Sequence, residues 1–125
     1  MRRAFIFLSF CGLTMFLGSC EKLDSKLLFG SWEGVSVLEE GNPLEVDPKE
    51  ILFYFDENES YRYNSTLKYK EAGSYYLEAN LLFTTDTVNQ ASTEKAVEIL
   101  LLSKDSLHLK MDEGGKERIL KLVKK

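Results

Sequence analysis

The residues able to do chemistry in this 125-residue chain are few: one histidine and two cysteines. His108 lies in Leu107-His108-Leu109-Lys110-Met111. In an extended chain the three apolar residues share one face and the imidazole takes the other, which makes it an outward bystander rather than a general base. Cys11 and Cys20 both fall within the first twenty residues, so the rest of the chain has no parts for a disulfide, a Cys–His pair or a zinc cluster. Asp56-x-Asn58-x-Ser60 opens like a calcium loop, but Tyr61 stands where glycine is needed and Leu67 where the closing glutamate belongs. A hairpin turn is the better reading. The carboxylate pairs Glu39-Glu40 and Asp112-Glu113 sit beside other charges and read as solvated turns. No Ser–His–Asp order, phosphate loop or nucleophile elbow is present. The expectation is a protein without catalytic residues, metal or cofactor, and not an enzyme.

Sixteen Lys and Arg against twenty Asp and Glu give a net charge of −4. Nucleic-acid affinity comes from cations that displace counterions, so a nucleic-acid partner is not expected. With 44% apolar residues, the chain has the balance of one globular domain.

Arg2 and Arg3 head an uncharged, mostly apolar stretch that ends in Leu17-Gly18-Ser19-Cys20. A cationic head followed by a short apolar run reads as a secretory leader, too short and too diluted for a comfortable transmembrane helix. The closing tetrapeptide resembles the lipobox of bacterial lipoproteins. That resemblance implies cleavage before Cys20 and acylation of its thiol. It divides the chain into a signal peptide helix at 1–19, a lipidated cysteine and tether at 20–27, and a domain at 28–125. Each buried CH₂ adds roughly 0.8 kcal/mol, so several acyl chains hold a small domain on a bilayer. The acidic tether that follows, starting at Glu21, resembles the export signals of surface lipoproteins in Bacteroidetes-type bacteria. The implied location is the bacterial cell envelope, at the outer membrane, facing the periplasm or the surface. In a bacterium the acceptor patterns at Asn58 and Asn64 carry no glycosylation meaning.

Beyond the tether the apolar period is two. Ile51, Phe53 and Phe55 alternate with Leu52, Tyr54 and Asp56, and Tyr61 and Tyr63 with Arg62 and Asn64. Such alternation predicts half-buried strands. Six further strands are expected at 32–38, 73–78, 81–85, 96–102, 106–111 and 118–123. For 93–102 a helix also fits the spacing, although the β-branched Val97 and Ile99 and the Ser-Lys-Asp turn that follows favour a strand. Most connections are short and polar, as antiparallel hairpins require. Two are longer, 39–49 and 86–93, and are the expected lips of a site. Eight strands of about 8 residues with connections of about 4 need roughly 92 residues, which 28–125 just supplies. Closing such a meander on itself removes both sheet edges.

Gly30-Ser31-Trp32 places the chain's one tryptophan at the entry to the first strand. With the meander, this Gly-x-Trp resembles the lipocalin and lipocalin-like families. The resemblance implies an all-β antiparallel barrel of about eight strands in which Gly30 and Trp32 form a plug at the closed end. It also implies a basic residue of the last strand over the indole, with Arg118 as the first candidate and Lys116 and Lys121 behind it. The loop at 39–49 would overhang the open end. A sheet that stays half open, or a β-sandwich built around Trp32, remains the competing architecture. Phe53, Phe55, Tyr61, Tyr63 and Tyr75 are the candidate ligand-binding residues, because tyrosine suits an apolar wall that must also offer a hydrogen bond. The functional expectation is a lipid-anchored domain holding a small apolar or amphipathic molecule, with the membrane as its other partner. The alternative is a protein-interaction module with a packed core and a partner of unknown identity.

Overall fold

Alternating aromatic and polar residues fold here as the sheet their period demands. The computed structural model describes residues 23–89 and 93–125. The leader, Cys20 and the start of the tether therefore lie outside the described residues, as do 90–92 of the second long connection. Among the described residues the strands are β1 (Gly30–Glu39), β2 (Asn42–Pro43), β3 (Leu52–Phe55), β4 (Ser60–Asn64), β5 (Lys70–Glu78), β6 (Leu81–Asp86), β7 (Glu94–Leu102), β8 (Ser106–Glu113) and β9 (Lys116–Lys124). All eight strands expected from the sequence are present, and 94–102 is a strand rather than a helix. The two-residue β2 and short 3₁₀ turns at Ser25–Leu28, Pro48–Glu50 and Thr66–Lys68 were not foreseen.

Apart from β2, which pairs only with the end of β1, the strands form one antiparallel meander in sequence order, and β1 pairs with β9 as well as β3, so the eight longer strands close into a barrel. Trp32 faces Phe53 on one side and Lys124 on the other, while Glu39 faces Arg118. Antiparallel order fixes the ends. The entry to β1 shares the closed end with the turns at 56–59, 79–80 and 103–105. Both long connections share the opposite, open end with the β4–β5 and β8–β9 turns. Bulges between Gly34 and Ser36 in β1 and between Ile99 and Leu101 in β7 add the local bend that closure needs.

The closed half is solid. Leu28, Trp32, Phe55, Tyr61, Tyr75, Leu82, Ile99, Leu107, Leu109 and Leu122 are buried there and around the barrel waist. Among the described residues, every buried apolar residue of the core falls between Leu28 and Leu122, so 28–125 carries that core. Trp32 is fully buried and its indole N–H donates to the Leu28 carbonyl at 2.9 Å. Gly30 takes φ +116 where the chain turns into β1, a conformation side chains rarely adopt. The expected cation over the indole is not Arg118. Lys124 Nζ stands 4.5 Å from the ring centroid and donates to the Phe29 and Leu27 carbonyls. Arg118 and Lys124 point to the same face of β9, but six residues of strand put them about 20 Å apart. Since β9 runs from the open end to the closed end, its last residues meet Trp32.

Gly73 sits at a tight approach between two strands. A Cβ there would lie 1.9 Å from the Thr85 carbonyl oxygen, so the position is closed to any side chain by the backbone of β6.

Candidate functional site

Inward-facing residues at the open end divide into two halves. On the β4–β7 side they form a polar cluster around Glu71, which is only 6% exposed. Its carboxylate accepts from Tyr61 Oη at 2.9 Å, from Tyr69 Oη at 2.6 Å and from Lys95 Nζ at 2.5 Å. Burial pushes the Glu71 carboxyl up, but the hydrogen bonds from Lys95, Tyr69 and Tyr61 outweigh it and hold the group below its ordinary value. Beside it Asp86, 2% exposed, accepts from the backbone N–H groups of Ala72 and Val88 and from the Asn89 amide. These bonds likewise hold it low against the cost of burial. The polar groups of this cluster satisfy one another, so it ties β4, β5, β6 and β7 together at the open end.

The other half is a cup of about 240 Å³ between β1, β3, β4, β8 and β9. Val37, Ile51, Leu120 and Met111 wall it, and Leu44 and Val46 reach in from the first long loop. That loop is held by β2 against the end of β1 and by the Pro48–Glu50 turn, where Ile51 N–H donates to the Pro48 carbonyl and Gly34 N–H to the Ile51 carbonyl. The polar members of the wall are Tyr63, Ser65, Thr66, Glu113 and Arg118. Arg118 Nη2 donates to Glu39 Oε2 at 2.6 Å, and this bond holds the Glu39 carboxyl below its ordinary range. Arg118 Nε is buried with no hydrogen-bond partner. A buried donor left unmade costs about 1–3 kcal/mol, so the atom has an unfilled demand for an acceptor. On the lip, Leu67 is 94% exposed and holds φ 60, and Lys68 follows with φ 63.

Of the candidate ligand-binding residues, Tyr63 alone lines the cup. It packs on Phe53 with ring centroids 4.5 Å apart and meets Tyr69 edge-on at 6.3 Å. Phe53, Phe55, Tyr61 and Tyr75 are core residues below it. The tyrosine hydroxyls, read from sequence as groups in want of a ligand, find partners within the protein: Glu71 for Tyr61 and Tyr69, the Asp56 carbonyl for Tyr75 and Glu94 for Tyr76. Burial, followed by the charges of Asp56 and Glu59, pushes the Tyr75 phenol up to about 12, and the bond to Glu71 does the same for Tyr69. His108 lies on the outer face opposite Lys121, half-buried, and burial and that cation hold it below its ordinary value. Asp56 does cap a hairpin turn, accepting from Asn58 and Ser60 N–H.

A closed antiparallel barrel with a tryptophan plug at one end and a cup at the other defines a lipocalin-like architecture. Solved structures share the fold: a lipocalin-like protein from Bacteroides uniformis superposes with a TM-score of 0.60 at 18% identity, over 79% of this chain and 99% of that one. An uncharacterized protein from Bacteroides eggerthii superposes with a TM-score of 0.51 at 16% identity, over 74% and 97%. At these identities the likeness is one of fold. No family model matches the sequence, and no curated protein matches it.

Proposed function

We propose that this protein is a non-enzymatic, lipid-anchored binding protein of the bacterial envelope that holds a small amphipathic molecule in the open-end cup. The observation that carries the reading is the cup itself, with an apolar floor and loop cover beneath a rim of Tyr63, Ser65, Thr66, Glu113 and Arg118. A cavity of about 150 Å³ takes benzene, so this one suits a ligand on the order of ten heavy atoms. At roughly 0.5 kcal/mol per atom, such a ligand binds with a Kd on the order of 0.1 mM.

An anchor at Cys20 would also orient the site. The chain enters the barrel at its plugged end, where Leu28 is core and Lys124 grips the carbonyls of Leu27 and Phe29. Eight residues separate Cys20 from Leu28, a reach of at most about 28 Å. The plug then faces the bilayer and the cup opens away from it, so the ligand arrives from the aqueous side.

Met111 supplies the test. It is the one native methionine of residues 21–125 and lines the cup, so a ¹³C-methyl label on it reports occupancy directly. Trp32, buried at the far end, does not. Titration with octan-1-ol should shift the Met111 resonance saturably, and Tyr63→Ala should weaken the response while the melting transition survives. No shift up to about 2 mM would refute the binding reading and favour an interaction module that uses the exposed Leu67 and Val88 at the open end.

A further inference from the structure

The outer wall of the closed half carries an apolar face whose place is set by the two bulges. One rung crosses four strands there: Leu101 of β7 faces His108 of β8, His108 faces Lys121 of β9, and Lys121 faces Ser36 of β1. A bulge flanks the rung at each end, and each bulge holds an apolar residue, Leu100 in β7 and Val35 in β1. Val123, nearer the closed end, lies between Ser106 and Glu33. The alternate residues Ile99, Leu107, Leu109, Leu120 and Leu122 fill the core, which leaves these four on the outside. Val35, Leu100, Leu101 and Val123 are each between 37% and 51% exposed, and they are half of the eight large apolar residues exposed among the described residues. At a strand spacing of about 4.8 Å the rung is about 15 Å wide, so they form a patch rather than the single exposed residues that any surface shows. Between them lie His108 and Lys121, half-buried side chains with an apolar body and a polar tip.

The charges beside this face run against those of the whole chain. Lys104, Lys121 and Lys125 stand on or next to it against Glu33 and Asp105, while Lys26 and Asp24 of the first 3₁₀ turn cancel. The open-end connections 40–50, 65–69 and 112–117 instead hold seven carboxylates against three lysines. An anionic surface therefore attracts the closed half and repels the open one. The chain also leads there. It enters β1 at Gly30, and Val35 is about 17 Å farther along that strand.

We propose, on the anchored reading above, that this face is the barrel's contact with its own bilayer: the closed half leans on an anionic phospholipid surface through Val35, Leu100, Leu101 and Val123, with Lys104 and Lys121 among the headgroups. The bulges that let the sheet close thereby also set its stance, and the cup stays open to the aqueous side.

The experiment uses the full chain, acylated in bacteria and placed in nanodiscs of mixed phosphatidylcholine and phosphatidylglycerol, with ¹³C-methyl labels on Leu and Val and a gadolinium chelate on some headgroups. The methyls of Val35, Leu100, Leu101 and Val123 should relax faster by severalfold, and those of Leu67 and Val88 at the open end should not. Lys121→Gln should lower the ratio of docked to free barrel about fivefold, the worth of one lysine at an anionic surface. Leu101→Glu should abolish docking, and because both side chains lie outside the core neither change should lower the melting temperature. Equal relaxation at the two ends, or faster relaxation at Leu67 and Val88, in a chain retained on the disc would overturn the stance and leave the anchor intact. Docking indifferent to both variants would overturn it as well. Shifts of the four methyls that grow with protein concentration, without enhanced relaxation, would assign the face to a second copy and overturn the bilayer contact. A chain that carries no acyl group and leaves the disc would overturn the anchor and the stance with it.

Discussion

Replacing Glu71 with Gln tests whether the polar cluster at the open end is a lock, and its magnitude follows from the three groups that Glu71 holds. Hydrogen bonds to a charged acceptor contribute about 1.5–3 kcal/mol, against about 0.5–1.5 for neutral ones. The amide keeps one acceptor oxygen, so one tyrosine bond weakens by about 1 kcal/mol and the other, to Tyr61 or Tyr69, is lost. The Lys95 ammonium is half exposed, and its pairing counts at the exposed level of at most about 1 kcal/mol. The expected loss is about 2.5–5 kcal/mol at pH 7. The pH dependence gives a second handle. Glu71 is held below its ordinary value of 4.5 in the folded state, so on acidification the unfolded chain binds its proton first. The contribution is full above about pH 4.5 and fades as pH falls through the lowered folded value. Urea unfolding followed by Trp32 emission should then show a gap between the parent and Glu71→Gln that is constant from pH 6 to 8 and shrinks at pH 3.5. Glu39 and Asp86 titrate in both proteins and cancel in the difference. A gap below about 0.5 kcal/mol at pH 7, or one that persists unchanged in acid, would refute the lock.

At the closed end, Trp32→Ala should cost about 3–5 kcal/mol, read as a fall in melting temperature, because a fully buried indole leaves a large void. Lys124→Met should shift the emission of Trp32 and Arg118→Met should not, since only Lys124 stands over the ring. Gly73→Ala should destabilise by more than about 2 kcal/mol. It should also speed hydrogen exchange at the Thr87 N–H, which donates to Ala72 beside that close approach. In bacteria fed labelled palmitate, the chain should run as a labelled, membrane-bound band, and Cys20→Ala should abolish the label; label that survives would refute the anchor.

How much of this was legible in sequence depended on parity and on strand length. Period-two alternation placed Phe53, Phe55, Tyr61, Tyr75, Leu107 and Leu109 inside, because side chains of a strand cannot change face without a bulge. The same parity extended two residues upstream of Gly73 puts Glu71 on the inner face with Tyr75. The expected strand began at Gly73, however, and a glutamate carries no apolar signal, so the buried acid was missed. Asp86 was missed in the same way, being on the parity of Leu82 and Thr84 and one residue past the expected end of β6. Arg118 and Lys124 share a parity, and only topology separates them. In an antiparallel barrel closed by its first and last strands, the residue opposite the start of β1 must come from the end of β9. The cup was not readable at all, because it depends on which short strands leave a gap and on how a loop folds back.

That gap explains why a barrel this small is neither hollow nor filled. Eight strands enclose an interior that side chains can just fill, and the bulky residues of the closed half do fill it. Toward the open end the wall is uneven: β1 has 10 residues and β8 and β9 have 8 and 9, whereas β3 has 4 and β4 has 5. The low side is bridged by the loop that carries Leu44 and Val46 and by the Pro48–Glu50 turn, elements that cover space from above but do not project side chains down into it as strands do. On the opposite side β5, β6 and β7 are long enough to carry Glu71, Asp86 and Lys95 inward, where they join polar networks of their own. The cup therefore lies where strand length runs out. Leu44 and Val46 are held over it by the hydrogen bond from Leu44 N–H to the Val37 carbonyl at 2.9 Å, which makes this loop the part of the barrel where changes in sequence alter the volume of the cup without touching the fold.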